Sequence, residues 1–266
     1  MNAHPNESQT QLPLAGRHAV VTGANGGIGE AICHELARHG AIVTLLGLDR
    51  AGLEATRDRL PGRDHGIAVA DITDHAAVAG AMAEAAAARG PVTLLVNNAG
   101  VAKSAPLVKT DPAQWKLMLD VNLTGTYNCI HAMLPGMIEA GWGRIVNIAS
   151  TAGLAGYAYV VPYCAAKHGV VGLTRALALE VAKRGITVNA VCPGYTDTPL
   201  LAGAVDNIVS KTGRSADEAR AELAAGNPQG RLVKPAEVAN AVAWLCLPGA
   251  EAIHGQSIAV AGGEVM

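Results

Sequence analysis

Residues Arg17-His-Ala-Val-Val-Thr-Gly-Ala-Asn-Gly-Gly-Ile-Gly-Glu-Ala-Ile-Cys33 read as a short apolar strand, a glycine-rich turn and the start of a helix. Gly23, Gly27 and Gly29 permit a tight turn and close approach of the backbone to a ligand. A helix that begins there offers unpaired N–H groups and the positive end of its dipole to a pyrophosphate. The spacing Thr-Gly-x-x-x-Gly-x-Gly departs from the Gly-x-Gly-x-x-Gly fingerprint, and a glycine cluster is otherwise only a flexible turn. The flanking strand and helix favour the dinucleotide cradle.

Outward from this stretch, β-branched runs recur at Ala41-Ile-Val, Leu94-Leu-Val, Arg144-Ile-Val-Asn-Ile and Ile186-Thr-Val, with helical stretches between them. Short continuous apolar runs suit strands buried on both faces of a parallel sheet. The pattern predicts an α/β fold, a Rossmann-type doubly wound parallel sheet in a single domain. Strands are expected at 40–47, 66–71, 92–97 and 186–191, and helices at about 50–60, 74–89, 111–140 and 162–184. Asp71, at the end of its strand, faces the edge where such sheets bind ligands. No linker interrupts the chain, so residues 15–266 are assigned to one catalytic domain and residues 1–14 to a flexible tail. Segment 199–227 has no strand signal and reads as two short helices joined around Thr212-Gly-Arg-Ser215, placed to act as a substrate lid.

Half of the 266 residues are hydrophobic, yet there is no Phe and aromatics make up 3%, so the core must rest on Ala, Val, Leu and Ile. The net charge of −2 comes without a basic block, which argues against a nucleic-acid partner. Segment 145–166 is uncharged, but Asn147, Ser150, Thr151 and Pro162 mark it as strand, loop and helix start rather than a membrane span. The first dozen residues are polar and lack the apolar centre of an export signal, which predicts a cytoplasmic protein. Five scattered cysteines without a Cys-x-x-Cys pair and nine histidines without His-Glu-x-x-His spacing predict neither a disulfide framework nor a catalytic metal.

Tyr163 and Lys167 stand four apart in Tyr-Cys-Ala-Ala-Lys, thirteen residues after Ser150. On a helix they share a face, where a neighbouring ammonium favours phenolate and draws the tyrosine pKa down from about 10. The pair is either a surface helix contact or a proton-transfer site. Asn122, in the middle of a long predicted helix, is a poor helix former and implies local hydrogen bonding.

Taken together, Thr22-Gly-Ala-Asn-Gly-Gly-Ile-Gly29, Asp71, Asn97-Asn-Ala-Gly100, Asn122, Ser150, Tyr163-Cys-Ala-Ala-Lys167 and Pro193-Gly-Tyr-Thr-Asp-Thr198 resemble the short-chain dehydrogenase/reductase family in its single-domain form, from Gly16 to Met266. The resemblance implies an NAD(P)-dependent oxidoreductase that interconverts a secondary alcohol and a ketone, with Asn122, Ser150, Tyr163 and Lys167 as a catalytic tetrad. It implies cofactor contacts from Gly23, Asn25, Gly27, Ile28, Gly29, Asp71, Ile72, Asn98, Gly100, Tyr163, Lys167, Pro193, Gly194, Thr196 and Thr198. By the same analogy it implies a homotetramer in which helices near 111–140 and 162–184 meet symmetry mates. The ending Val260-Ala-Gly-Gly-Glu-Val-Met is similar to 3-hydroxyacyl and 3-hydroxybutyrate dehydrogenases and 3-oxoacyl reductases. Leu154, Tyr157 and Tyr195 are candidate pocket residues.

NAD and NADP both stay open. The second predicted strand ends Gly47-Leu-Asp-Arg50, with glycine where an acid would hold the ribose 2′-hydroxyl, and with both an acid and a base just beyond. Two other functions compete: a catalytically silent dinucleotide-binding sensor or partner subunit, and a sugar-nucleotide epimerase. Retention of Ser150, Tyr163 and Lys167 disfavours the first, and the little chain left for a second domain disfavours the other.

Overall fold

Strand β1 (His18–Thr22) lies inside the sheet, paired in parallel with β2 (Ile42–Gly47) on one side and β4 (Val92–Asn97) on the other. Beyond β2 lies β3 (Gly66–Val69). Beyond β4 come β5 (Gly143–Ile148), β6 (Ile186–Pro193) and β7 (Ser257–Val260). The computed structural model describes residues 11–266, and among these the sheet has seven strands, all parallel, in the order 3-2-1-4-5-6-7. The chain crosses over between β3 and β4, so the connections leaving β1 and β4 diverge. That divergence opens the crevice where doubly wound sheets hold ligands.

Alternate residues of the inner strands feed two aliphatic layers. On one face Ala19, Val21, Val43 and Leu45 meet α1 (Gly27–Arg38) and α9 (Pro235–Cys246) through Ile32, Leu36, Val238 and Val242. On the other, Val20, Leu95 and Ile145 meet α3 (His75–Arg89), α5 (Gly125–Ala140) and α6 (Val161–Val181). In α3 the buried residues Val78, Met82 and Ala85 recur at helical spacing, which puts one face of this Ala-rich helix against the sheet. Asp74 caps it by accepting from the N–H groups of Ala76 and Ala77.

The expected elements form, with differences at their edges. β3 stops at Val69, because the Asp71 carboxylate turns the chain by accepting from the N–H and hydroxyl of Thr73. The helix expected over 50–60 is α2 (Arg50–Arg57) followed by a turn. The long helix over 111–140 is α4 (Pro112–Leu119) and α5, joined by one π turn at Asp120–Thr124. Segment 199–227 contains α7 (Pro199–Thr212) and α8 (Ala216–Ala224), the latter closed by a capping box between Ser215 and Glu218. α9 and β7 have no counterpart in the predicted elements. Residues 1–10 of the expected tail lie outside the described residues; Leu14, also assigned to that tail, is 1% exposed and belongs to the core. Among the described residues no helix is long and apolar enough to cross a membrane.

A buried amide ladder fastens α6 to the sheet. Asn97 Nδ2 donates to Asn147 Oδ1 at 2.8 Å, Asn147 Nδ2 donates to Thr174 Oγ1 at 2.9 Å, and Thr174 Oγ1 donates to the Val170 carbonyl at 2.8 Å. Asn147 is fully buried. Replacing it with Ala strands the Asn97 amide and is expected to cost about 1–3 kcal/mol of stability in a urea unfolding experiment. An unchanged midpoint would show that the ladder contributes nothing.

Candidate active site

The turn after β1 is locked to the turn after β4. Thr22 Oγ1 accepts from the backbone N–H groups of Asn98 and Ala99 at 3.0 and 2.9 Å, and Asn98 Nδ2 donates to the carbonyls of Thr22 and Gly23, both at 3.0 Å. Gly23 has φ +62°, and a Cβ there would sit 2.8 Å from the Ala99 Cα. At Gly29 a Cβ would lie 2.1 Å from the Gly23 carbonyl oxygen, so only glycine lets α1 start this close beneath the turn. The helix begins at Gly26 without any side-chain cap, and a Cβ on Gly26 would meet nothing within 4 Å. Free N–H donors at an open helix start, at the carboxyl edge of the sheet, fit a dinucleotide pyrophosphate. Ile28 is partly buried against the core, and Asn25 is exposed beside the end of β2.

From Gly100 the contacts run inward. A Cβ on Gly100 would meet Asn122 Oδ1 at 2.8 Å and Lys167 Nζ at 3.6 Å, so these two side chains flank one point of the backbone. Asn122 is fully buried at the π turn. Its Nδ2 donates to the carbonyls of Val101 and Met118, each at 2.9 Å, and its Oδ1 accepts from the Val101 N–H at 3.2 Å. The side chain thus bonds a carbonyl of its own helix as well as the segment after β4, and such single π turns concentrate at functional sites. Lys167 is 4% exposed and donates from Nζ to the Ile148 carbonyl at 2.8 Å, at the end of β5. Ser150, two residues on, accepts from the Ala152 N–H at 3.1 Å, and its hydroxyl favours the ionised form of the Tyr163 phenol. Lys167 Nζ stands 5.6 Å from the centre of the Tyr163 ring. The four residues of the expected tetrad, Asn122 from one helix pair and Ser150, Tyr163 and Lys167 from the next strand and helix, gather on the side of Gly100.

The electrostatics correct the sequence expectation for Tyr163. Its surface is half-buried but dense protein surrounds it, and burial pushes the phenol up to about 12, with the Ser150 hydroxyl pulling the other way. Burial drives the lysine itself down to about 8, and its ammonium is bound to a backbone carbonyl rather than to the phenol.

The remaining expected cofactor residues lie in the loop after β6 and in the turn after β3. Thr198 Cγ2 would lie 3.2 Å from a Cβ on Gly27, so the loop after β6 reaches the glycine turn. Within that loop Thr196 Oγ1 donates to the Gly194 carbonyl at 3.0 Å and Thr198 Oγ1 to the Thr196 carbonyl at 3.3 Å, while Pro193 closes β6. Asp71 is exposed and builds its own turn, and Ile72 is buried, its carbonyl accepting from Asn128 Nδ2 at 2.9 Å. At the end of β2 Leu48 is 70% exposed, and Arg50 pairs with Glu54 at 3.6 Å.

Of the candidate pocket residues, Tyr157 and Tyr195 belong to this neighbourhood. Tyr195 acts electrostatically on Tyr163 and on Tyr157. Leu154 lines a separate cleft of about 680 Å³ with Arg175, Ser257 and Met266, whose lining includes none of the tetrad. Sequence reasoning missed two supporting groups. Asn147 could have been flagged as an amide inside an otherwise apolar strand. Glu264, which accepts from the Tyr157 hydroxyl, carries no local signal because its partner lies 107 residues away.

The short chain dehydrogenase family model matches residues 17–208. The 3-oxoacyl-acyl-carrier-protein reductase FabG of Vibrio cholerae is 37% identical over 255 residues, 96% of this chain and 100% of that protein. The D-beta-hydroxybutyrate dehydrogenase of Cupriavidus necator is 36% identical over 257 residues, covering 95% and 99%. Among solved structures, an actinorhodin polyketide ketoreductase with NADPH superimposes with a TM-score of 0.90 at 39% identity, over 93% of this chain and 97% of that one. The chain belongs to the short-chain dehydrogenase/reductase family, and it is an NAD(P)-dependent oxidoreductase acting on CH–OH groups.

The buried ammonium has a consequence for stability. A lysine lowered from 10.5 to about 8 destabilises the fold below pH 8 and does so progressively less as pH rises from 8 to 10.5. Lys167→Met is therefore expected to raise unfolding free energy at neutral pH by about 1–3 kcal/mol, offset in part by the Ile148 carbonyl it leaves unpaired. The gain should shrink between pH 8 and 10.5 in denaturant titrations. A variant less stable than the parent at neutral pH contradicts this reading.

Proposed function

We propose that the protein reduces a ketone to a secondary alcohol, or runs the reverse, with Tyr163 as general acid/base. The observation that supports this is the series of close approaches from Gly23 to Asn98 and from Gly100 to Asn122 and Lys167, with Tyr163 on the Lys167 helix and Ser150 acting on its phenol. It brings a nucleotide cradle and a proton-transfer group to one crevice. Bound nicotinamide supplies or accepts the hydride. In reduction Tyr163 gives its proton to the carbonyl oxygen while Ser150 donates a hydrogen bond to the same oxygen. Lys167 holds the nicotinamide ribose and, once a ligand shares its ammonium, favours the phenolate. Asn122 secures the backbone at Val101 and sits beside Lys167 on the path by which protons reach solvent. Thr196 and Thr198 orient the nicotinamide carboxamide, Asp71 and Ile72 hold the adenine, and segment 199–227 closes over substrate.

The two relatives, one named for a carrier-bound oxoacyl group and the other for a hydroxy acid, share oxygen at the third carbon of an acyl chain. They support a 3-oxoacyl or 3-hydroxyacyl substrate here. The test follows near-ultraviolet absorbance of NADH and NADPH against a panel of ketones and β-ketoacyl thioesters. Oxidation of either cofactor by a β-ketoacyl compound is expected, and tight cofactor binding without turnover of any ketone would contradict the reading.

Tyr163→Phe removes only a hydroxyl. It is expected to lower kcat by about 100-fold or more while cofactor affinity stays within a few-fold. Retained turnover removes the proton-transfer role. With Lys167 titrating at about 8, cofactor affinity is expected to fall as pH rises through that value, because the ammonium loses its charge; affinity constant to pH 10 would contradict it.

The assembly is proposed to be a homo-oligomer. Trp115 on α4, Tyr127 and Ile138 on α5 and Leu179 on α6 are large, apolar and exposed, Leu179 at 83%. Sedimentation at several protein concentrations should give a mass well above 27.0 kDa, and a monomer throughout would overturn the proposal.

A further inference from the structure

The C-terminal turn places a carboxylate between the segment that carries Tyr157 and the loop after β6. Glu264 Oε1 accepts from the Tyr157 hydroxyl at 2.5 Å, on the segment that leads from Ser150 to Tyr163. Its Oε2 occupies the space where a Cβ of Gly194 would be, at 2.5 Å, against the loop after β6. Oε1 also faces Gly226, at the end of the segment that carries α7 and α8, 3.8 Å from the position of a Cβ there. One side chain therefore touches three segments that surround the crevice. Asn227 fixes the turn that presents it: the space beside Gly262 is filled by the Asn227 amide, which itself donates to the Arg231 carbonyl at 2.7 Å.

This carboxylate is half-buried, and among the described residues no cation lies within ion-pairing distance of it. Arg220 and Arg231, on either side of Gly226 in sequence, pair with Asp197 and Glu237. Its negative charge acts on Tyr157, on the segment between Ser150 and Tyr163, and on Tyr195, in the loop after β6. In a partly desolvated cleft a second negative charge nearby is strongly disfavoured.

Resting on the ketone reduction proposed above, we propose that Glu264 is a specificity-determining residue: its carboxylate turns away substrates that carry a free carboxylate near the reacting carbonyl and admits their neutral esters and thioesters. Discrimination then comes from repulsion of the acid rather than from attraction of the ester. The 3-oxoacyl substrate would be an ester or thioester, not a short free β-keto acid.

The probes are acetoacetate and methyl acetoacetate, which share the reacting ketone and differ in charge. With either nicotinamide cofactor, the wild-type protein is expected to show a kcat/KM for the ester at least about 30-fold above that for the acid. Glu264→Gln should raise the value for acetoacetate about 10-fold and leave the ester within about 3-fold. Glu264→Asp keeps the charge and should keep the discrimination. Equal use of both probes by the wild type, a Gln variant that moves both alike, or an Asp variant that behaves like the Gln variant each overturns the proposal. If neither probe is reduced, the failure lies with the proposed reaction on these ketones, and charge selection is read by calorimetry on the protein saturated with NADPH. The ester alone should then bind the wild type, with the acid gaining affinity in Glu264→Gln; any other pattern, including no binding of the ester, overturns it.

Discussion

The site depends on the burial of one ammonium group. Lys167 lies beneath the crevice with 4% of its surface exposed, held by the carbonyl at the end of β5 and flanked by the Asn122 amide. A charge in that position is costly, and the surrounding structure is arranged to bear it. The amide ladder from Asn97 to Thr174 fixes α6 against the sheet, and α6 carries both Lys167 and Tyr163. The π turn at Asn122 brings another polar group to the same place. The proposed function gives a reason to keep a group that stability alone would replace with a methionine.

The same burial explains why the phenol is not acidic in the bare protein. Desolvation acts on Tyr163 and Lys167 in opposite directions, raising one pKa and lowering the other, so each is biased toward its neutral form. In the proposed complex an oxidised nicotinamide would bring positive charge into this region, and its ribose would offer the ammonium hydroxyl partners. The acid/base behaviour proposed for Tyr163 therefore belongs to the complex with cofactor rather than to the chain by itself.

Much of the fold was legible because the parallel sheet is written in local runs. Val92–Asn97 stands out as an apolar stretch between an Ala-rich helix and a turn, and the glycines after Thr22 announce both the turn and the helix beyond it. What was not legible depends on distant partners. β7 is four residues long and only half-buried at the sheet edge, so Ser257–Val260 lacks the continuous run of an inner strand. The π turn needs the backbone at Val101, and the role of Glu264 needs Tyr157. The spacing of Tyr163 and Lys167 puts them on one helix, as the structure has them, but misjudges their electrostatics. Four residues on a helix fix the shared face, whereas the ammonium's preference for the Ile148 carbonyl and the desolvation of both groups arise from the packed domain.

The most direct measurement is a pH titration of the Tyr163 phenol, observed by NMR with isotope-labelled tyrosine, in the free protein and in its complex with the oxidised cofactor. The account predicts ionisation at about 12 in the free protein and a marked fall toward neutrality in the complex. A phenol that titrates at the same pH in both states, or that is already near neutral without cofactor, would contradict it.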